Sequence, residues 1–134
     1  MEKEELEEGL TLALQFEKRG GLLPVIVQEV QSGSILMQGY VNRAAIEKTL
    51  KTGYATFWST SRNALWTKGE SSGDYLRVKA IYTDCDQDAL LYQVELLGNG
   101  VCHTRSSNGK TRKSCFYRQI DWQSQQLKFS DSIE

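Results

Sequence analysis

The sequence predicts an α+β fold rich in strands, with an antiparallel meander-type sheet, an N-terminal helix and one further helix. Two observations carry this. Helical periodicity is confined to two early segments, whereas the chain after Gly53 alternates in the two-residue rhythm of strands. Helices and strands also fail to alternate as βαβ units, which disfavours a parallel sheet. At 134 residues with 40% hydrophobic and 25% charged residues, the chain is long enough for one core and unlike a disordered protein. Residues 1–122 are expected to form a single domain and 123–134 a polar C-terminal tail, since no repeat, linker or low-complexity tract divides the chain.

From Glu5 to Lys18, Leu6, Leu10, Ala13 and Leu14 recur at spacings of three and four, predicting a helix with acids at its front and Gly20-Gly21 at its end. Leu23–Val30 and Ile35–Tyr40 follow as strands around the turn Gln31-Ser32-Gly33-Ser34. Asn42 to Lys51 predicts the second helix, capped by Asn42, stopped before Gly53, and turning Ala44, Ala45, Ile46 and Leu50 inward. Further strands are expected at 54–58, 65–68, 75–83 and 90–97. In the third of these, Leu76, Val78, Ala80 and Tyr82 share one side of the pleat.

Charge and composition exclude several classes. Sixteen basic and seventeen acidic residues leave a net charge of −1, so no general attraction to nucleic acid or anionic lipid is expected. No apolar run approaches the roughly 18–20 residues that span a bilayer. The acidic start Met1-Glu2-Lys3-Glu4-Glu5 lacks signal- or transit-peptide character, which predicts a cytoplasmic protein.

Three clusters carry chemistry. Cys85, Cys102 and Cys115 are the three cysteines, an odd number that suits a metal with one open position better than a disulfide framework. Around the first lies Asp84-Cys85-Asp86-Gln87-Asp88. If extended, it turns three carboxylates to one side, fit for Mg²⁺, and a thiol to the other; the alternative is a solvated acidic turn with a buried cysteine. The second cluster is Cys102-His103-Thr104 with Ser114-Cys115 beyond a basic loop. His103 is the one histidine, the side chain suited to proton transfer near neutrality; a surface histidine beside two buried cysteines is the alternative. The third is Ser61-Arg62 with Trp66-Thr67-Lys68-Gly69-Glu70. It is either a phosphate-holding surface without Walker spacing, or two polar turns around a core indole.

Taken in order, LMQGYVNRAAI (36–46), TGYATFWSTSRNALWTKGESSG (52–73), DCDQDALLYQV (84–94), CHT (102–104) and SCFYR (114–118) resemble the phosphoribosyl-AMP cyclohydrolase family of histidine biosynthesis. The resemblance implies an intertwined homodimer needing Zn²⁺ and Mg²⁺. It implies that Cys85, Cys102 and Cys115 hold zinc, shared between subunits, and that Asp84, Asp86 and Asp88 hold magnesium. The implied substrate is phosphoribosyl-AMP, whose adenine ring is opened by hydrolysis between nitrogen-1 and carbon-6. His103, Lys68 and Glu70 are then the candidate catalytic residues, and Ser61, Arg62 and Trp66 the candidate substrate contacts. One departure stands out. The family pattern is a short CHTGxxSC, whereas here Arg105 replaces the glycine and residues 106–113 lengthen the loop. An Asn-Gly turn inside it predicts a hairpin-like excursion that returns Cys115 to the metal. A paralogous zinc hydrolase with another nucleotide substrate, or a zinc-stapled dimer using His103 as fourth ligand, are the competing readings. A cytidine-type deaminase is disfavoured, since neither H-x-E nor P-C-x-x-C occurs.

Overall fold

The computed structural model describes residues 1–130. Its elements are α1 (Lys3–Glu8), β1 (Leu23–Glu29), β2 (Ile35–Val41), α2 (Arg43–Thr52), β3 (Thr56–Ser59), β4 (Ala64–Thr67), β5 (Leu76–Thr83), β6 (Leu90–Leu96), β7 (Arg118–Ile120) and β8 (Leu127–Phe129). The α+β class holds, but the meander does not. The main sheet has the order β2-β1-β6-β5, and β1 runs parallel to β6, pairing from Val25 with Leu90 to Glu29 with Val94. The sheet is therefore mixed. After β2 the chain leaves this sheet for α2 and the separate β3–β4 hairpin, then returns so that β6 fills the free edge of β1.

Alternation decides the core. Leu23, Val25 and Val27 of β1 face it with Tyr92 and Val94 of β6 and Leu76 of β5, all fully buried. Each such aliphatic side chain contributes roughly 1.5–3 kcal/mol by leaving water. Phe57 of β3 closes the core from the hairpin, its ring centroid 6.1 Å from that of Tyr92.

The second helix forms as its ends dictate. Asn42 Oδ1 accepts the Ala45 N–H at 2.8 Å, and Gly53 takes a left-handed φ of 80° while donating to the Thr49 carbonyl. The inward face differs from expectation, because Ala44 and Leu50 are exposed and Thr49 is buried with Ala45 and Ile46. Thr49 can occupy the inner position because its hydroxyl is satisfied. It donates to the Ala45 carbonyl and accepts the Thr56 N–H at 3.0 Å, tying α2 to β3.

The N-terminal helix is shorter than its periodicity suggests, ending at Gly9 rather than Lys18, with no buried residue. Its continuation is captured by a distant side chain. Gln87 accepts the Ala13 N–H through its amide oxygen and the Gln15 N–H through its carbonyl. Its amide nitrogen donates to the Leu6 and Thr11 carbonyls. These bonds replace helical ones. In β5 the register shifts between Val78 and Ala80, so the alternation changes phase. Ile81 packs on the core and Tyr82 is exposed, so Leu76, Val78, Ala80 and Tyr82 do not share one side of the pleat as expected. Within 123–134, Leu127–Phe129 pairs with Arg118–Ile120; residues 131–134 lie outside the described residues. Among the described residues no helix is long and apolar enough to cross a membrane.

Candidate functional site

Cys102 and Cys115 are brought together by the two arms of a short hairpin. Val101 N–H donates to Lys113 O, Cys102 N–H to Arg112 O and Arg112 N–H to Thr104 O. Arg105 bridges Thr111, so the lengthened loop is a hairpin-like excursion, as expected. The returning arm is fixed to β2, where Cys115 N–H donates to the Leu36 carbonyl at 2.7 Å and the buried Ser114 hydroxyl to that of Ile35 at 2.8 Å.

The sulfur atoms sit in a polarised setting. Burial pushes the Cys102 thiol up, but this is outweighed by several favourable contacts. The Thr104 hydroxyl lies 2.9 Å from Cys102 Sγ and the Thr104 N–H donates to the same sulfur. With the Cys115 thiol and the Arg112 charge they leave Cys102 below the ordinary thiol range. Cys115 goes the other way. Desolvation, then the neighbouring Cys102, push its thiol up to about 11, with the Lys68 ammonium opposing. Two neighbouring sulfur atoms are a donor set that suits a soft cation able to displace their protons. Cys85 is exposed on the acidic loop. Among the described residues neither it nor the exposed His103 joins the pair in a three-ligand group.

Asp84, Asp86 and Asp88 do converge, their oxygens all within 4.8 Å of one another. A turn produces this, rather than strand alternation. Gln87 adopts φ 56°, and Asp84 Oδ1 accepts the Asp88 and Ala89 N–H groups at 3.0 and 3.1 Å. Desolvation raises the Asp84 carboxyl, whereas the Lys18 hydrogen bond holds that of Asp88 far below the usual range. Lys18 Nζ lies 2.9 Å from Asp86 Oδ2 and 2.7 Å from Asp88 Oδ2, and Arg19 Nη2 lies 3.0 Å from the latter. A carboxylate trio that gathers two cationic side chains fits a hard divalent ion.

The β3–β4 hairpin supplies the third part. Trp66 is half-buried against Phe57, with centroids 5.4 Å apart. Arg62 and Lys68 lie 6.0 and 5.5 Å from its ring. Ser61 and Glu70 are exposed in the flanking turns, Ser61 Oγ 3.3 Å from Ser59 Oγ. Lys68 thus links the indole to the thiol pair. Several contributors escaped the sequence reading. Thr104 was visible in the CHT segment, but nothing local signalled Lys18, Arg19, Gln87 or Arg112.

The family model for phosphoribosyl-AMP cyclohydrolase matches residues 37–117, which include the hairpin, the acidic loop and both paired thiols. A protein of Solibacter usitatus named phosphoribosyl-AMP cyclohydrolase is 52% identical over 108 residues, 81% of each chain. The chain belongs to the phosphoribosyl-AMP cyclohydrolase family. Relatives of the same name from Archaeoglobus fulgidus and Streptococcus mutans are 51% and 50% identical, each covering 94% of its own length and 82% and 81% of this chain. Lys18 and Arg19, the cations on the acidic loop, lie before the segment matched by the phosphoribosyl-AMP cyclohydrolase model.

Proposed function

We propose that the protein hydrolyses the adenine ring of phosphoribosyl-AMP between nitrogen-1 and carbon-6, as a cytoplasmic, zinc- and magnesium-dependent homodimer of histidine biosynthesis. The observation that carries this is the meeting of Cys102 and Cys115 beside Lys68 and Trp66, in a chain 52% identical to a protein named for that reaction.

Cys102 and Cys115 would hold zinc with Cys85 supplied by the second subunit, and Asp84, Asp86 and Asp88 would hold magnesium. Bound there, zinc supplies a nucleophile from water at neutral pH and magnesium a hard positive charge for phosphate or ribose oxygens. The chain's own residues do the rest. Trp66 offers a stacking face for the base, and Arg62 and Ser61 contact phosphate. Lys68 and Glu70 orient the ring. His103, exposed next to Cys102, delivers a proton to nitrogen-1 as its bond to carbon-6 breaks and the oxygen of water is added at carbon-6. Homodimer formation is supported by apolar side chains left on the surface. Leu12, Leu50 and Tyr82 are 70%, 61% and 53% exposed, with Leu12 and Leu50 lining a groove of about 210 Å³.

Metal content and ring opening measured together on purified protein test this reading. The expected result is about one zinc per chain and turnover abolished by a chelator. His103→Ala is expected to lose turnover while retaining zinc. Bound zinc without ring opening would overturn the assignment.

A further inference from the structure

We infer that the hairpin 105–113 is a phosphate-binding arm, in which Arg105 and Lys110 hold a phosphate monoester of the substrate beside the thiol pair. The identity of that substrate rests on the function proposed above.

Positive charge is concentrated on this stretch of the chain. From Leu97 to Ile120 the chain carries Arg105, Lys110, Arg112, Lys113 and Arg118 and no aspartate or glutamate, a local patch in a chain of net charge −1. Three of these cations have structural work, Arg118 lying 5.4 Å from the Tyr117 ring centroid. Lys113 Nζ lies 2.5 Å from Glu29 Oε1, and Arg112 packs 3.9 Å from the Tyr117 ring centroid and reaches the Thr104 hydroxyl. Arg105 and Lys110 differ. Among the described residues neither has an ion-pair partner, and both line one cleft of about 350 Å³ with Asn99, Gly109 and Thr111.

That cleft is set by the hairpin's own bonding. Arg105 Nη1 donates to the Gly109 carbonyl at 3.0 Å, which fixes the guanidinium across the turn. Asn108 Oδ1 accepts the Lys110 N–H at 2.9 Å, and Gly109 sits at φ 80°. The remaining guanidinium N–H groups, the ammonium and the Thr111 and Asn99 side chains are the donors a dianionic phosphate takes. The arm also points from the reacting centre. Thr104, whose hydroxyl lies 2.9 Å from Cys102 Sγ, is followed directly by Arg105, so the three-residue step from Cys102 to Arg105 spans at most about 10 Å. That separation suits a base at the thiols and its ribose phosphate in the cleft.

The test compares wild type with Arg105→Ala/Lys110→Ala, and with Arg105→Lys/Lys110→Arg as the conservative pair. Steady-state ring opening of phosphoribosyl-AMP is expected to show KM raised about 10- to 100-fold in the alanine pair, with kcat within about twofold and most of the loss recovered by the conservative pair. Equilibrium binding of AMP, adenosine and inorganic phosphate supplies a second readout. Wild type should prefer AMP to adenosine, increasingly so at low salt, and the alanine pair should lose that preference. Competition by inorganic phosphate in wild type alone would locate the recognised group. An unchanged KM with unchanged AMP preference overturns the arm while leaving the reaction standing. Absence of turnover in wild type, with an AMP preference that still depends on Arg105 and Lys110, overturns the reaction and keeps the arm. Should the alanine pair fail to fold, Arg105→Gln/Lys110→Gln takes its place under the same criteria.

Discussion

Lys18 Nζ stands 2.7 Å from Asp88 Oδ2, so an ammonium from the N-terminal segment reaches a carboxylate in the turn between β5 and β6. Asp88 is buried while Lys18 is half-exposed, and Arg19 reaches the same oxygen. The acidic turn therefore carries its own counter-cations.

Magnesium and Lys18 compete for Asp86 and Asp88. Removing the ammonium by Lys18→Ala is expected to tighten Mg²⁺ binding about fivefold, a modest coupling. Calorimetric titration of the zinc-loaded protein measures it. Unchanged or weaker binding would show that Lys18 leaves the carboxylates without cost, or that magnesium binds elsewhere.

Acid sensitivity follows from the same contact. Asp88 is held below its unfolded value, first by the Lys18 hydrogen bond. Its contribution is thus complete above roughly pH 4–5 and lost as the pH falls toward its folded value. Asp84 is raised by desolvation and has the opposite sign, its contribution being present at low pH and lost as the pH rises through its folded value. In metal-free protein, Tm should fall more steeply between pH 5 and pH 2 for wild type than for Asp88→Asn. Parallel curves would refute the ion pair as a source of stability.

Thr104 positions a ligand sulfur. Thr104→Val removes the hydroxyl 2.9 Å from Cys102 Sγ at nearly constant volume. Zinc affinity, read by competition with a chromophoric chelator, is expected to drop about tenfold. An unaltered affinity would mean that the backbone N–H of Thr104 suffices.

Gly100 lets the hairpin stem close. A Cβ there would lie 2.4 Å from the Arg112 carbonyl oxygen and 2.9 Å from Lys113 Cα. Gly100→Ala should cost about 1–3 kcal/mol in urea unfolding. Gly109→Ala meets open space but keeps φ at 80°, and should cost only about 1 kcal/mol. Equal costs would argue against the close approach.

What the sequence revealed tracks how local each cause is. The second helix was legible because Asn42 and Gly53 act within a few residues of the bonds they terminate. The strands of the β1–β2 and β3–β4 hairpins were legible for the same reason. The fate of residues 10–15 was hidden, because Gln87 decides it from more than 70 positions away. The bulge at Val78–Ala80 was hidden too, since one extra residue reverses the facing of everything after it without altering composition. At the site, the nearness of Asp84, Asp86 and Asp88 in sequence announced a carboxylate cluster, but a turn at Gln87 gathers it rather than strand alternation, and its counter-cations come from the N-terminal segment. The pairing of Cys102 with Cys115 was foreshadowed by the Asn-Gly turn between them, whereas the isolation of Cys85 within one chain follows only from the tertiary path.

The parallel contact between β1 and β6 has a bearing on biosynthesis of the chain. A ribosome releasing this polypeptide has already extruded Leu23–Glu29 long before Leu90–Leu96 emerges to zip alongside it. During that interval the nascent hairpin exposes an unsatisfied border of amides and carbonyls to any neighbouring polypeptide. Completion of the domain is thereby deferred to late translation, and fragments truncated before Leu90 should be recovered as aggregates rather than as folded intermediates.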